Sequence, residues 1–492
     1  MPRPVDLVFV HGWSVHNTDT YGGLPERLVA EAARVGVTLR RRDVLLGRYI
    51  SFHDEVRVRD IARAMEAAVQ EQGLGKAGPF YCVTHSTGGP VVREWYERFY
   101  AKVRRRCPMS HFVMLAPANF GSALAQLGKS SVGRLKSWFE NVEPGQGVLN
   151  WLELGSPESF ALNEEWIRSG GKHIGLSGYY PFVITGQWID RKLYDNINSY
   201  TGELGSDGVV RVAAANLNAT YVRLKQTGAT DAMGFNTLRK MEAIAAPATA
   251  IRIARKRSHS GKDIGIMRSV RPSREPGRPQ NADTVDAILR CFAVGTVAQY
   301  RALAQAFTQE NAAIQKEEQV EIERKTFLRD RVFIRDRYSQ LVFRIRDSEG
   351  IPVNDFDLIL TAGPRSSPDD LPQGFFCDRQ RNSRHRGTIT YFINYDVMMG
   401  APALPGGLRD RLPGAGQLGL ELHPRPEQGF VRYRKCRISA GAKNLSILVR
   451  PNQTTLVDIE VERLVSKETF RLERTLNQGS FKNVKPGDEI AP

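Results

Sequence analysis

The chain has 492 residues, which is too long for one ordinary hydrophobic core, so two or three domains are expected. Hydrophobic residues at 41% and charged residues at 25% describe a soluble globular protein. The net charge of +16 comes from arginines scattered along the chain without a long basic tail. We therefore favour a solvated basic surface over nucleic-acid binding, and attraction to anionic lipid stays open.

The cysteine pattern and the apolar segments exclude several other classes. The five cysteines are far apart and form no C-x-x-C pair, so neither a zinc site nor a disulfide scaffold is predicted. No apolar stretch reaches the roughly 18 residues that a membrane-spanning helix needs. The N-terminal apolar run is short and leads into a motif, which is unlike a signal peptide. A cytoplasmic protein is expected, with non-classical secretion as the alternative.

Strands and helices are predicted to alternate over the first part of the chain. Four short apolar runs predict buried strands at residues 5–10, 80–83, 111–117 and 180–186. Helices are predicted over 55–72 and 89–100, the first because Ile61, Met65 and Val69 recur at helical spacing. This alternation is typical of an α/β fold with a doubly wound, mostly parallel sheet.

Residues 120–170 interrupt the alternation with small residues mixed among Leu, Trp and Phe. This composition predicts a lid or cap over the strand ends, or a pair of ordinary crossover helices. Its apolar residues could line an acyl groove: Leu124, Leu127, Leu135, Trp138, Phe139, Leu149, Trp151 and Leu152.

A second domain is predicted from about residue 327 onward. A Pro/Arg-rich loop at 270–283 and a long helical segment precede it. The pattern then changes to a period of two, which predicts an all-β, sandwich-like region. The predicted strands are 340–350, 357–364, 388–395, 418–422, 445–450 and 455–464. The domain boundaries are thus 1–326 and 327–492.

Ser86 is the candidate nucleophile. It follows an apolar strand and precedes Gly88, Gly89 and a helix, which resembles the nucleophile elbow of the α/β-hydrolases. The usual pattern there is G-x-S-x-G, and Thr84 replaces the first glycine, which predicts a tighter elbow. In this fold the backbone N–H after the nucleophile, here that of Thr87, helps to stabilise the oxyanion.

Histidines and a tryptophan near the strand ends complete the predicted oxyanion region. The motif "VFVHGWS" follows the first strand, and Trp13 is predicted to supply the second oxyanion N–H. His11 is expected to shape this loop, and His85 to pack under the site.

The acid and the base follow the nucleophile in this fold, in that order. Asp207 is favoured as the acid because Gly205 and Gly208 flank it in a tight turn; Glu203 and Asp190 are the competitors. Three histidines, His259, His385 and His423, lie beyond Asp207. The last two fall in the predicted β domain, so His259, in a Ser/Gly loop before the boundary, is predicted to be the base.

The motifs "FVHGWS", "THSTGGPVVREW", "MLAPANFGSALA", "SDGVVRVAAA" and "SHSGKDIGIM" together resemble the blocks of α/β-hydrolase lipases and esterases. Bacterial triacylglycerol lipases and lecithin–cholesterol acyltransferase-like enzymes are the nearest comparison, over roughly residues 1–320. In this family "DGVV" is similar to the acid turn, which supports Asp207. The resemblance implies a Ser-Asp-His triad that cleaves lipid carboxylic esters through an acyl-enzyme. No cofactor is expected. Many bacterial lipases carry calcium near the base, but the single carboxylate of Asp263 is too little to predict a metal site here.

Substrate and partners are less constrained by the sequence. The apolar 120–170 segment and the basic stretch Arg252–Arg257 favour a phospholipid, while a small-ester esterase, a thioesterase or a non-catalytic binding protein are the alternatives. An exported antibacterial lipase effector is a further interpretation. The expected partners are a lipid or other ester, a membrane surface and a protein docked on the β domain; nucleic acid is not expected.

Overall fold

The computed structural model describes residues 3–11, 21–50, 55–128, 145–190, 202–274, 281–323, 330–439 and 445–466. The strands up to residue 253 are β1 (Val5–His11), β2 (Leu39–Leu45), β3 (Phe80–His85), β4 (Met109–Leu115), β5 (Tyr180–Thr185), β6 (Thr220–Thr230), β7 (Asn236–Ala245) and β8 (Ala250–Ile253). The later strands are β9 (Val320–Glu323), β10 (Arg331–Ile334), β11 (Tyr338–Asp347), β12 (Phe356–Ala362), β13 (Phe376–Arg381), β14 (Thr388–Asn394), β15 (Leu418–Pro424), β16 (Val431–Arg432), β17 (Cys436–Ile438), β18 (Thr454–Val461) and β19 (Leu464–Val465).

The helices of the described chain are mostly confined to its first two thirds. They are α1 (Leu24–Glu31), α2 (Val58–Glu71), α3 (Gly88–Tyr96), α4 (Leu124–Gly128), α5 (Gln146–Leu152), α6 (Pro157–Ser169), α7 (Val212–Ala215), α8 (Ala282–Phe292), α9 (Val297–Glu317) and α10 (Tyr395–Met399). The local sequence explains where one of these helices begins. The α9 helix begins with a capping box, because Thr296 Oγ1 accepts from the Gln299 amide at 3.2 Å and Gln299 Oε1 accepts from the Thr296 amide at 3.1 Å.

Six parallel strands form the sheet that carries the candidate nucleophile, in the order β2-β1-β3-β4-β5-β8. Helices α2, α3, α5 and α6 cover one face, and α1, α8 and α9 cover the other. The predicted α/β fold with a mostly parallel sheet is therefore confirmed. The strand order reverses between β1 and β3, and α/β sheets bind ligands at the carboxyl ends of the strands beside such a point.

The second large sheet is mixed and has nine strands, in the order β12-β15-β17-β7-β6-β18-β11-β14-β13. It confirms the predicted C-terminal β region. The hairpin β6–β7 comes from the middle of the sequence, yet it joins this sheet by parallel pairing of β6 with β18 and of β7 with β17. Val342 of β11 and Leu456 of β18 belong to the buried cluster of the parallel sheet, so the two sheets share a core.

One predicted strand is absent from the structure, and several observed strands were not predicted. Residues 445–450 were expected to form a strand, but Leu445–Leu448 is a short 3-10 helix. Its Ile447 is exposed, so the apolar run does not mark a buried strand. The hairpin β6–β7 was not predicted, although Val222 and Leu224 alternate with exposed residues and a turn at Asp231–Gly234 follows.

In the part of the chain that the structure describes, every helix is too short or too polar to traverse a bilayer.

Candidate active site

Ser86 lies in the sharp turn between the central strand β3 and helix α3. Its φ is +53°, a left-handed conformation that few residues other than glycine adopt. The Ser86 amide donates to the Leu115 carbonyl of the neighbouring strand β4 at 3.0 Å, which anchors this strained turn. Strained backbone of this kind, between a strand and a helix, exposes the side chain of a nucleophile elbow above the sheet.

The packing below the turn explains how a threonine fits at position 84. Thr84 is fully buried, and a Cβ placed on Gly88 would lie 3.0 Å from its Cβ. Gly88 therefore provides the space that Thr84 occupies. A Cβ on Gly89 would lie 2.7 Å from Pro117 Cβ, so the first turn of α3 also packs closely on the segment after β4.

Asp207 lies in a turn closed by a bridge between Ser206 and Arg211. Asp207 Oδ1 accepts from the amides of Val209 and Val210, at 3.0 and 2.8 Å. The other carboxylate oxygen, Oδ2, is left to face a partner outside the turn. The carboxylate is thus oriented by the backbone of its own turn.

That partner is His259, in the loop after β8. His259 Nδ1 lies 3.0 Å from Asp207 Oδ2, and the His259 amide donates to the Asp207 carbonyl at 2.9 Å. Both side chains are buried, with 2% and 0% of their surface exposed. Two contacts between the same two residues fix the imidazole relative to the carboxylate, as an acid–histidine pair requires.

His85 joins this pair to the turn that carries Ser86. Its Nε2 lies 3.1 Å from the His259 carbonyl oxygen, and the two imidazole rings are 4.6 Å apart between centroids. Burial, with a smaller effect from His259, holds the pKa of His85 well below its usual range. A neutral His85 donates its Nε2 proton to that carbonyl. The structure therefore brings together the loops of Ser86, Asp207 and His259.

The predicted oxyanion donors are only partly described. Thr87 precedes the first residue of α3, so its amide belongs to the helix N-terminus, where amides lack intrahelical acceptors. Trp13 lies outside the described residues. His11, fully buried at the end of β1, contacts Asp43 of β2 through its Nε2 at 2.8 Å.

The competing acids and bases have other surroundings. Glu203 accepts two hydrogen bonds from Arg211, while Asp190 is buried beyond the end of β5. His423 lies on β15 with its ring against Phe235. His385 lines a cleft of about 610 Å³ among α2, α3, α5 and α6, and none of the predicted triad residues lines that cleft.

Much of the basic stretch at 252–257 has structural partners. Arg252 is buried and pairs with Asp283 and Glu310. Arg255 pairs with Glu317, and Arg257 donates to Ser269 at 3.1 Å. These contacts weaken the expectation that the stretch binds an anionic head group.

The apolar residues of the 120–170 segment that were predicted to line an acyl groove are partly buried and partly outside the described residues. Trp151 and Leu152 are buried in the core of the parallel sheet, and Leu124 and Leu149 are buried as well. Trp151 also lines the cleft of about 610 Å³ described above, whereas Leu124, Leu149 and Leu152 are not among its lining residues. Leu135, Trp138 and Phe139 lie outside the described residues, and the side chain of Leu127 is not described.

Comparison with solved structures gives two full-length matches. The chain is 40% identical to phospholipase PlaB from Legionella pneumophila, with a TM-score of 0.82, over 99% of this chain and 100% of that one. The structure of PlaB in complex with thio-NAD matches at 39% identity and a TM-score of 0.81, with the same coverage. A Bacillus licheniformis lipase, BlEst2, is 18% identical over 44% of this chain and 80% of its own, with a TM-score of 0.30. No family model matches the chain, and no curated protein matches it either.

Proposed function

The chain belongs to the family of the Legionella phospholipase PlaB and is a carboxylic ester hydrolase, and from this premise we propose that it hydrolyses acyl esters of phospholipids with Ser86, Asp207 and His259 as its triad. The phospholipid is the proposed substrate because the relative is a phospholipase and matches over its whole length. A phospholipid substrate also implies contact with a lipid surface.

The proposed reaction has two halves. His259 Nε2 accepts the proton of Ser86 Oγ while that oxygen attacks the acyl carbonyl. The Thr87 amide, with the predicted help of Trp13, stabilises the oxyanion. The C–O bond to the lysophospholipid breaks, and His259 returns the proton to the leaving oxygen. Water, deprotonated by His259, then attacks the acyl carbonyl. The bond to Ser86 Oγ breaks, His259 returns the proton to that oxygen, and the fatty acid is released.

One observation carries this mechanism: the 3.0 Å contact between His259 Nδ1 and Asp207 Oδ2, next to the strained turn of Ser86. Asp207 Oδ1 accepts two amide hydrogen bonds from its own turn, so Oδ2 remains for the imidazole. A carboxylate in that position selects the tautomer with its proton on Nδ1, which leaves Nε2 free to accept from Ser86.

The nucleophile is tested with a fluorophosphonate probe on the full-length protein. Wild type should be labelled, and Ser86→Ala should lose both labelling and ester hydrolysis while its melting temperature stays within a few degrees. Ser110→Ala is the matched control, because Ser110 is on β4 and contacts the Phe80 carbonyl and His111. Labelling that persists in Ser86→Ala would place the nucleophile elsewhere.

The substrate is tested by comparing kcat/KM across ester classes. Long-chain phospholipids in vesicles should exceed p-nitrophenyl acetate and butyrate and acyl thioesters, because each buried methylene contributes about 0.8 kcal/mol. Vesicles of zwitterionic and anionic lipid, at low and high salt, separate acyl-chain from head-group effects. If acetate or butyrate esters are the best substrates, the enzyme is a small-ester esterase; if thioesters are, it is a thioesterase.

A further inference from the structure

The turn that carries Asp207 is held from the second sheet. Arg211, whose main chain closes this turn against Ser206, is 2% exposed and donates from Nη2 to Asp378 Oδ2 at 2.5 Å. Asp378 belongs to β13, at the edge of the nine-stranded sheet. An ion pair therefore runs from the C-terminal sheet to the residue that closes the acid turn.

A second carboxylate completes the ion cluster. Glu203, at the start of the turn, accepts from Arg211 Nε at 2.8 Å and from Nη2 at 2.9 Å. Ser206 Oγ donates to the Glu203 carbonyl at 2.8 Å, and the Gly208 amide donates to Ser206 Oγ at 3.2 Å. These bonds connect Arg211 to both residues that flank Asp207.

Two aromatic side chains of the nine-stranded sheet pack against the turn of Asp207. The Arg211 guanidinium lies 4.1 Å from the centroid of the Phe392 ring, and Phe392 stacks on Tyr338 with their centroids 5.2 Å apart. A Cβ on Gly205 would lie only 2.3 Å from a Tyr338 ring carbon, and Gly205 has a φ of +78°. The turn therefore packs against Tyr338 at Gly205, and against Phe392 through the side chain of Arg211.

We propose that Arg211, Asp378 and Phe392 are positioning residues that set the direction of the Asp207 carboxylate toward His259, so that the C-terminal sheet completes the active site. The proposal rests on the proposed triad. A buried guanidinium needs both carboxylates, because removing one partner leaves a poorly compensated charge and moves the side chain. Displacing a catalytic group by about 1 Å costs on the order of 100-fold in rate.

The test compares Asp378→Asn with a matched control in the full-length enzyme. The control is Glu164→Gln, because Glu164 of α6 also pairs with the C-terminal sheet, through Arg344 at 3.3 Å, but away from the acid turn. In Asp378→Asn, kcat should fall at least tenfold with KM within about twofold, and Asp378→Glu should recover part of the loss. Glu164→Gln should keep kcat within about twofold.

A spectroscopic readout separates positioning from general destabilisation. The far-downfield proton resonance of His259 Nδ1–H, assigned by its loss in His259→Ala, should broaden or shift in Asp378→Asn and stay unchanged in Glu164→Gln. If Asp378→Asn does not fold, Phe392→Leu keeps all three charges, removes the ring below Arg211 and should give the same loss of kcat and the same change in the resonance.

The possible failures are distinguishable. If wild type shows no labelling of Ser86 by fluorophosphonate, the proposed triad fails and this inference falls with it. If Ser86 is labelled but kcat and the resonance are unchanged in Asp378→Asn, or in Phe392→Leu when Asp378→Asn does not fold, only the inference is overturned. An equal loss of kcat in Glu164→Gln also overturns it, because general contact between the sheets would then explain the effect.

Discussion

At the scale of single residues, the candidate site depends on side chains that constrain one another. His259 receives contacts from Asp207 on its ring and from His85 on its carbonyl, so its position is fixed from two sides. Ser86, in turn, depends on a left-handed backbone that the Leu115 carbonyl anchors. Replacing one of these residues should therefore disturb the position of the others.

The assignments of acid and base predict a clear difference among variants. His259→Ala and Asp207→Asn should each lower kcat by about three or more orders of magnitude, as triad lesions do elsewhere. His385→Ala and His423→Ala should remain near wild type, because His385 lines a cleft that none of the predicted triad residues lines and His423 packs against Phe235. Steady-state kinetics with phospholipid vesicles measure kcat for each of these variants. Comparable losses at His385 would contradict the assignment of the base.

Thr84 and Gly88 should show coupled effects on stability. In the wild-type background Gly88→Ala should destabilise the protein, because the new Cβ meets Thr84 Cβ at 3.0 Å. In a Thr84→Gly background the same change should be neutral or stabilising, since alanine is favoured over glycine in a helix by about 1 kcal/mol. Denaturant unfolding of the four proteins gives the coupling energy, expected to be about 1 kcal/mol or more. Additive effects would mean that the elbow does not need glycine for space.

At the scale of elements, four of the six strands of the parallel sheet were predicted from local patterns, whereas β2, β8 and helix α1 were not. Short apolar runs gave β1, β3, β4 and β5 because each is buried on both faces. The strand, turn and helix around Ser86 were predictable because their residues are contiguous in the sequence. The β6–β7 hairpin and the link from Arg211 to Asp378 were not, because their partners lie far along the chain and leave no local signal.

Strand β4 carries a histidine that should make the fold sensitive to acid. Burial lowers the pKa of His111 to about 4, while its Nε2 contacts the Val294 carbonyl at 2.7 Å. In the unfolded chain this group titrates near its ordinary value of 6.5. Between these values the unfolded state binds the proton and the folded state does not, so stability falls as the pH drops from about 6.5 to 4. The contribution reaches about 3 kcal/mol.

Denaturant midpoints at pH 7.5 and pH 5 measure this effect. His111→Gln should reduce the loss of stability between the two pH values, since glutamine does not titrate. The exposed His385 offers the control, and His385→Gln should keep the wild-type difference. An unchanged pH dependence in His111→Gln would show that other groups cause the acid sensitivity.

At the scale of the whole molecule, the two sheets form one structure and not an enzyme with a detachable module. Helix α7 and the residue after it are joined to the nine-stranded sheet and its turn by hydrogen bonds from Thr454 Oγ1 to the Ala213 carbonyl and from Asn216 to the Asn452 carbonyl. Tyr221 of β6 and Leu456 of β18 share the core of the parallel sheet. Dividing the chain near residue 326 would separate strands β6 and β7 from β18 and β17, their neighbours in the nine-stranded sheet.

A fragment of residues 1–326 should therefore aggregate when it is expressed alone. Its β6–β7 hairpin would lose β18 on one side and β17 on the other, and exposed strand edges promote association. Co-expression of residues 327–492 should restore a soluble, active complex. Size-exclusion chromatography and vesicle assays measure both outcomes. A monomeric, active 1–326 fragment would contradict this account.

The position of the β6–β7 hairpin also determines when the enzyme can become active during its synthesis. Thr220 pairs with Thr455, so this strand leaves the ribosome long before its partner exists. At about 5–20 residues per second, the hairpin waits for ten seconds or more. Tyr338, Asp378 and Phe392 also follow the acid turn by more than one hundred positions in the sequence. On the proposed arrangement, a nascent chain carries its nucleophile early but cannot attack the lipids around it until the strands of the nine-stranded sheet have been synthesised.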